Sequence, residues 1–264
     1  MRIATWNVNS VRSRITRIEA FVERQQIDVL ALQETKVRDD QWPVMGLQAM
    51  GYDVASLGSN QWNGVAIVSR VGIEDVKRGF DGMPEYGDPL AAEARAIGAT
   101  CNGARVWSLY VPNGRKVGDP HLEYKLAWLH ALRDAAAGWL ADDPAGQVAL
   151  TGDWNIAPQD DDVFDITAFA KSTHVTPPER AAFQAVVDAG YADVVRPHQP
   201  GPGIYTYWDY YRQRFERNRG MRIDFVLGST AFAARVTGAQ IDRAERAGQG
   251  ASDHAPVIVD LADD

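Results

Sequence analysis

A single cysteine, Cys101, stands in the 264 residues, inside an apolar run. No disulfide can close within the chain, and an inert core thiol is the ordinary reading. No stretch reaches the ~18–20 consecutive apolar residues needed to span a bilayer. The chain opens directly on strand-like Met1-Arg-Ile-Ala-Thr-Trp6 without an apolar leader, so a cytoplasmic location is expected. No repeat of fixed period and no low-complexity linker interrupts it. Positive charge is also scarce: 27 Lys and Arg against 35 Asp and Glu leave a net charge of −8. That balance counts against indiscriminate binding to a polyanion, although clustering of the basic residues can override the total.

What is present suits one domain spanning 1–264, with 45% hydrophobic residues to fill a large core. Residues 2–7 alternate like a strand. Residues 11–26 carry Ile15, Ile18 and Val22 on one helical face, and 27–32 form a second strand, giving a β-α-β unit. On that helix Arg12, Arg14 and Arg17 follow another edge, for which a solvated face is the favoured reading from the residues alone. From 52 to 111 short strands follow one another (52–57, 64–69, 74–78, 92–100, 106–111), separated by turns such as Asn102-Gly103, which favours antiparallel pairing. A Gly- and Pro-rich loop is expected at 81–90 and a long helix at 120–141. A helix at 177–189 starts with Pro and stops at Gly190. Strands are expected at 204–211, 221–227, 235–241 and 255–261. This is an α/β (α+β) pattern with two mixed sheets.

The chain is organised around Thr151-Gly-Asp-Trp-Asn-Ile-Ala-Pro158. It follows the buried-looking Gln147-Val-Ala-Leu150, a strand expected to stop where the polar residues begin, and it leads into a helix start at 158–162. Asp153 and Asn155 are two apart and would leave one face of an extended backbone. A carboxylate beside an amide can hold a water and steady a developing anion.

Other polar clusters abut short apolar strands in the same way. They are Asn7 after Ile3-Ala-Thr-Trp6, Glu34 after Val29-Leu-Ala-Leu32, Asp224 within Met221-Arg-Ile-Asp-Phe-Val-Leu227, and Ser252-Asp-His254 before Ala255. Taken singly, each has an ordinary role: Glu34 a helix cap, Asn7 a turn, Asp224 an ion pair with Arg222, Asp253 an Asx turn, His254 a satisfied core histidine. Jointly they are costly in apolar surroundings unless paired or metal-bound. Oxygen donors without a His/Cys pair fit a hard cation, Mg²⁺ or Mn²⁺. One histidine among carboxylates fits phosphoryl-transfer chemistry.

Trp6-Asn-Val-Asn-Ser10, Leu32-Gln-Glu-Thr-Lys36, Gly152-Asp-Trp-Asn-Ile-Ala-Pro158, Asn218-Arg-Gly-Met-Arg-Ile-Asp-Phe-Val-Leu227 and Ser252-Asp-His-Ala-Pro256 resemble the exonuclease III family of abasic-site endonucleases, within the endonuclease/exonuclease/phosphatase superfamily. They occur in that family's order and span nearly the whole chain. The resemblance implies a four-layer α/β sandwich, two packed mixed β-sheets flanked by helices. It implies a Mg²⁺-dependent phosphodiesterase, with Mn²⁺ as a substitute. Such an enzyme incises 5′ to abasic sites or acts as a 3′-5′ exonuclease and 3′-phosphatase. Its partner is double-stranded DNA with abasic sites or blocked 3′ ends, and no membrane; a monomer is expected.

By position in the family motifs, Glu34 holds the ion with Asn7 and Asp253, and Asp153, Asn155 and His254 adjoin it. Asp153 is the general base, Asn155 orients the attacking water, and His254, paired with Asp224, presents a donor to the phosphate. Tyr110, in Ser108-Leu-Tyr-Val-Pro-Asn-Gly114, meets the scissile phosphate or leaving group; a buried strand tyrosine is its plain alternative. Arg12 and Arg14, with Arg212, Arg214, Arg217 and Arg219 in a segment that also holds Arg222, grip DNA. Tyr207, Met221 and Ile223 line a pocket for an abasic sugar. The chain departs from the family in lacking a basic residue in Gly58-Ser-Asn-Gln-Trp-Asn-Gly64, in having Trp154 where Phe is familiar, and in having Tyr207 where Trp or Phe is usual. Two other readings stand beside this one. The first is a phosphoesterase of the same superfamily acting on a lipid or small-molecule phosphoester. The second is a silent binding module, against which the full set of polar residues argues.

Overall fold

The computed structural model describes residues 1–263. In chain order they form β1 (Arg2–Asn7), α1 (Val11–Gln25), β2 (Val29–Gln33), α2 (Met45–Ala49), β3 (Asp53–Leu57), β4 (Val65–Ser69), β5 (Glu74–Arg78), β6 (Ala96–Cys101), β7 (Ala104–Tyr110) and α3 (Pro120–Asp142). There follow β8 (Val148–Asp153), α4 (Pro177–Asp188), β9 (Tyr191–Asp193), β10 (Asp224–Ser229), α5 (Thr230–Ala233), β11 (Val236–Ile241) and β12 (Val257–Leu261). One six-stranded sheet runs β11-β12-β1-β2-β4-β3 and the other β5-β6-β7-β8-β10-β9. Each contains one parallel pair, β1 with β2 and β7 with β8, so both are mixed.

Strand alternation explains the layers. In β1, Ile3 points between the sheets and Ala4 points outward, and β2 and β4 repeat this with Val29, Ala31, Val65 and Ile67 inside. The facing sheet contributes Ala99, Val106, Ala149 and Val226, small or branched residues that let two sheets approach closely. The outer faces are also covered. Helix α1 lays Ile18, Phe21 and Val22 on Leu30, Ala66 and Val68, while α3 and α4 lay Trp128, Leu132, Phe183 and Val186 on Trp107, Leu150 and Phe225. Both sheets are therefore buried on two sides, which is why their central strands read as nearly continuous apolar runs. The four-layer sandwich expected from the sequence is the observed architecture.

Helix ends follow local chemistry. Thr176 and Glu179 form a reciprocal capping box at the start of α4, with Pro177 in its first turn. Asp119 caps α3 through the His121 N–H. Gln26 closes α1 in a left-handed conformation, its N–H bonded to the carbonyls of Val22 and Glu23.

Several expectations need correcting. β8 does not stop at Leu150 but continues through Asp153, because each residue from Leu150 to Asp153 has a register partner on both β7 and β10. Residues 204–211 do not form a strand. They meet the rest through isolated bridges, Tyr207 to Met221 and Tyr207 to His254. Their aromatic composition reflects packing of Tyr205 and Trp208 against Ala255 rather than a ladder. β10 begins at Asp224, not at 221, and the expected helix start at 158–162 is a single 3₁₀ turn at Asp160–Asp162. The short strand β9 carried no sequence signal.

Candidate active site

The topology collects the polar residues at one rim. β1 and β2 are parallel, with Asn7 and Gln33 as partners at their C-terminal ends, and the next residue, Glu34, turns out at φ 51°. β7 and β8 are parallel, with Tyr110 opposite Asp153. β10 runs the other way from the same rim, with Asp224 opposite Asp153. Gly152 is required here by a close approach. A Cβ at that position would lie 1.9 Å from the Leu109 carbonyl oxygen, and its φ of 143° disfavours other residues.

Asn7 sits between the carboxylates. Its Nδ2 donates to Glu34 Oε1 at 2.8 Å and to Asp153 Oδ2 at 2.9 Å. The amide orientation follows from its Oδ1, which accepts the Asn9 N–H at 3.0 Å. Ser252 Oγ donates to the Asn7 carbonyl at 2.7 Å, and Trp6 Nε1 donates to the His254 carbonyl at 3.1 Å, tying the 252–254 segment to β1. Lys36 Nζ lies 2.7 Å from Glu34 Oε2.

Asn155 reaches the site by a turn rather than along the strand, correcting the extended-face expectation. Its φ is 50°, and its N–H donates back to Asp153 Oδ1 at 2.9 Å. Its Nδ2 donates to the Val111 carbonyl at 3.0 Å, and its Oδ1 accepts from Asn113 Nδ2 at 3.1 Å. His174 Nε2 lies 3.2 Å from the same oxygen and its Nδ1 3.1 Å from Thr173 Oγ1.

Electrostatics separates the roles of these groups. Burial would push the His254 imidazolium down, but the facing Asp224 and Asp153 carboxylates outweigh it and hold it up at about 10. Its Nδ1 is 2.9 Å from Asp224 Oδ2, and its Nε2 is 3.8 Å from Asp153 Oδ2. Asp224 therefore pairs with His254 and not with Arg222, which is 1% exposed and bonds Asp193 instead. Asp153, also 1% exposed, is pushed up to about 7 by burial, with His254 opposing and Asp224 and Glu34 adding to the rise. Burial opposes ionisation of Glu34, yet neighbouring Lys36 and the Asn7 amide hold its carboxyl below the usual range. Burial, then the Glu34 charge, raises the Tyr110 hydroxyl well above its ordinary value, so it keeps its proton.

Glu34, Asp153 and His254 each present a donor atom, all within 4.8 Å of one another, a group that could hold a metal ion. With His254 protonated, the oxygens of Glu34 and Asp153 remain as donors. Hard oxygen donors on two crowded carboxylates, Asp153 buried and Glu34 half-buried, fit a hard divalent cation. Asn7 faces both with donor hydrogens and so sets them rather than ligating. Asp253 is not in this group; its Oδ1 accepts from Asn9 Nδ2 at 3.2 Å. The Asn155 Oδ1 is likewise engaged, by Asn113 Nδ2 at 3.1 Å, while its Nδ2 has a second hydrogen beyond the one donated to Val111.

The endonuclease/exonuclease/phosphatase family model matches residues 4–254. The chain belongs to that family. Within it, the chain sits in the exonuclease III branch. It is 30% identical to the exodeoxyribonuclease III of Haemophilus influenzae over 97% of this chain and 98% of that protein. A 3′ phosphatase from Neisseria, solved with a product DNA hairpin, superposes with a TM-score of 0.93 at 36% identity, covering 99% of both chains. An AP endonuclease from Archaeoglobus fulgidus does so with a TM-score of 0.92 at 32% identity, again over 99% of both.

In this family member the arginine segment forms a basic cavity. Arg212, Arg214, Arg217 and Arg219 line a space of about 570 Å³ with Phe164 and Tyr205. A smaller cavity of about 130 Å³, lined by Tyr207, Met221, Phe164, Arg214 and Arg219, adjoins it. The Tyr207 ring contacts the His254 ring at 4.9 Å, which links this cavity to the polar rim. Of the expected sugar-pocket residues, Tyr207 and Met221 line the cavity. Ile223 does not, being buried in a small cluster with Ala157 and Val163. Arg222 is removed from the DNA-gripping segment because it is buried. Arg14 is tied into the fold through the Asn9 and Ala251 carbonyls and the Tyr210 hydroxyl. Arg17 bonds Glu245, whereas Arg12 stays exposed beside Gln41. Trp154 faces the core against Phe183, away from the cleft. Sequence reasoning missed Lys36, Asn113, His174 and Lys125. Lys36 and Asn113 stand in quoted motifs and were within reach; His174 and Lys125 come from segments without a motif.

Proposed function

We propose that this chain is a divalent-metal-dependent DNA-repair phosphodiesterase acting on duplex DNA, at 3′ ends as an exonuclease and 3′-phosphatase and at abasic sites as an endonuclease. The observation that carries the reading is the His254–Asp224 pair beside Asp153 and Glu34, joined through Tyr207 to a four-arginine cavity. Phosphoryl transfer calls for a base, a fixed cation and donors to the phosphate, and the rim has side chains suited to each task, with Glu34 and Asp153 as a group that could hold the cation. Its similarity to a 3′ phosphatase and to an AP endonuclease supports both branches of the substrate range.

In this mechanism Glu34 and Asp153 would hold Mg²⁺, or Mn²⁺ in its place. The bound cation would neutralise charge on a phosphate oxygen. Asp153 takes a proton from the attacking water, and the second Nδ2 hydrogen of Asn155 orients that water. His254 Nε2–H donates to a phosphate oxygen, while Asp224 fixes the ring and stabilises its charge. The protonated Tyr110 hydroxyl donates at the leaving-group side. Arg212, Arg214, Arg217 and Arg219 hold flanking phosphates. Tyr207 and Met221 offer ring and thioether surface to an abasic sugar in a cavity too small for much more, about 130 Å³. The reading treats residues 1–264 as one catalytic domain working as a cytoplasmic monomer. No described helix is long and apolar enough to cross a membrane.

The test is a side-by-side assay of a 3′-phosphate duplex and an abasic duplex with Mg²⁺. Release of phosphate or incision of the abasic strand is expected. Both duplexes left intact while simple phosphate esters are hydrolysed would overturn the reading.

A further inference from the structure

Lys125 and Glu179 form an ion pair with no exposed side-chain surface, Nζ to Oε1 at 2.5 Å, beneath the polar rim. Such a pair rarely adds stability over apolar residues of equal volume, so its retention calls for another role. Its remaining bonds indicate one. Lys125 Nζ also donates to the Asn155 carbonyl at 2.6 Å and to the Asn113 carbonyl at 3.3 Å. Glu179 Oε1 accepts the His174 N–H at 2.9 Å, and Oε2 is held by Thr176 Oγ1 at 2.6 Å. The pair thus clasps three segments, 113, 155 and 174, that carry the side chains around the Asn155 amide.

Asn155 needs such a clasp. It is a non-glycine residue at φ 50°, a conformation that persists only when its surroundings impose it. Its Oδ1 meets Asn113 Nδ2 at 3.1 Å and His174 Nε2 at 3.2 Å, both on segments anchored by the pair. A shift of either segment would rotate the amide.

We infer that Lys125 and Glu179 are positioning residues that set the Asn155 amide for catalysis, acting from helices α3 and α4 without touching substrate. The inference rests on the proposed nuclease reading, in which Asn155 orients the attacking water. A small misplacement of such a group costs roughly tenfold to a hundredfold in rate.

The test uses the full chain. K125M alone strands the Glu179 carboxylate in the core, so the informative variant is K125M/E179Q. It removes both charges and keeps one acceptor oxygen for the His174 N–H, while the glutamine NH2 faces Thr176 Oγ1 as a donor. Its Tm should stay near wild type while kcat on the DNA duplex falls roughly tenfold or more with KM within about twofold. In an Asn155→Ala background, K125M/E179Q should lower kcat no further, since both changes act through one group. Without DNA, the Asn155 side-chain amide NMR signal, assigned by its loss in Asn155→Ala, should shift in K125M/E179Q. A double variant with wild-type kcat and an unmoved amide signal would overturn the inference, as would an equal loss of kcat in both backgrounds. If wild-type protein cuts neither duplex, the nuclease reading fails by itself, and the amide signal still decides whether the pair positions Asn155.

Discussion

Asp153 and Asp224 are direct register partners on antiparallel β8 and β10, and His254 lies against both, 3.8 Å from the first and 2.9 Å from the second. Like charges directly opposite on adjacent strands repel. The buried imidazolium offsets that repulsion, and the 3.8 Å gap leaves Nε2–H without a hydrogen bond to Asp153. The two carboxylates therefore have different tasks although their positions in the ladder are equivalent.

Asp153→Asn removes the base and keeps the shape. Turnover on a duplex substrate should fall by about 10²–10⁴-fold while DNA affinity stays near wild type. Single-turnover kinetics alongside a binding titration reads the two separately. An active Asp153→Asn enzyme would remove this residue from the base role.

The pH profile follows from the two shifted groups. In metal-free protein Asp153 should lose its proton near 7, read by an NMR pH titration, and added Mg²⁺ should move that loss to lower pH. Activity should fall as His254 loses its proton near 10. Asp224→Asn takes away the largest favourable partner of the imidazolium, so the upper limb should move to lower pH. Stability carries the same sign. The folded pKa of His254 lies above its ordinary 6.5, so its contribution is complete below 6.5 and lost as pH rises through about 10. Thermal melts of wild type should therefore decline across that window, and those of Asp224→Asn should decline less.

Neutralising Arg212, Arg214, Arg217 or Arg219 singly should weaken duplex binding without changing which base is preferred. Each lost phosphate contact should reduce the slope of log K against log salt by about 0.9. Arg222→Ala should behave differently. It removes the Arg222 partner of Asp193 at 2.8 Å, while Arg196 still holds Asp162 at 2.6 Å, and should lower stability by ~1–3 kcal/mol, visible in denaturant unfolding.

Chelation with EDTA should abolish turnover, and added Mg²⁺ or Mn²⁺ should restore it. Glu34→Gln removes one of the two carboxylate donors and should raise the metal concentration needed for half-maximal activity by about 10–100-fold, comparable to the loss on removing a metal-supporting group. An unchanged metal requirement in Glu34→Gln would exclude Glu34 as a ligand.

Much of this was legible in the chain itself. Period-two and period-3.6 patterns marked most strands and the helices α1, α3 and α4, because both sheets are covered on two faces and their residues are apolar for that reason. Asn7, Glu34, Asp153 and His254 stood out because each is polar at the border of an apolar run. The region at 204–211 misled, since aromatic residues pack equally well in a coil stacked on Ala255 as in a strand. The arginines proposed to hold DNA could be found only as a cluster. Burial of Arg222 and the engagement of Arg14 depend on partners far away in sequence.

By itself the sequence determined the inventory: which residue types end which strands, and a motif order sufficient for family membership. The tertiary structure decided what those residues do to one another. Asn7 meets Asp153 across 146 positions once the two sheets pack face to face, and Trp6 meets the His254 carbonyl across 248 once β12 pairs beside β1. Packing also removes water, and in that low-dielectric interior a carboxylate is pushed up, an imidazolium is held charged, and a lysine–glutamate pair beneath Asn155 is drawn into one clasp. Local pattern specifies burial and turns; charge state and proximity belong to the folded whole.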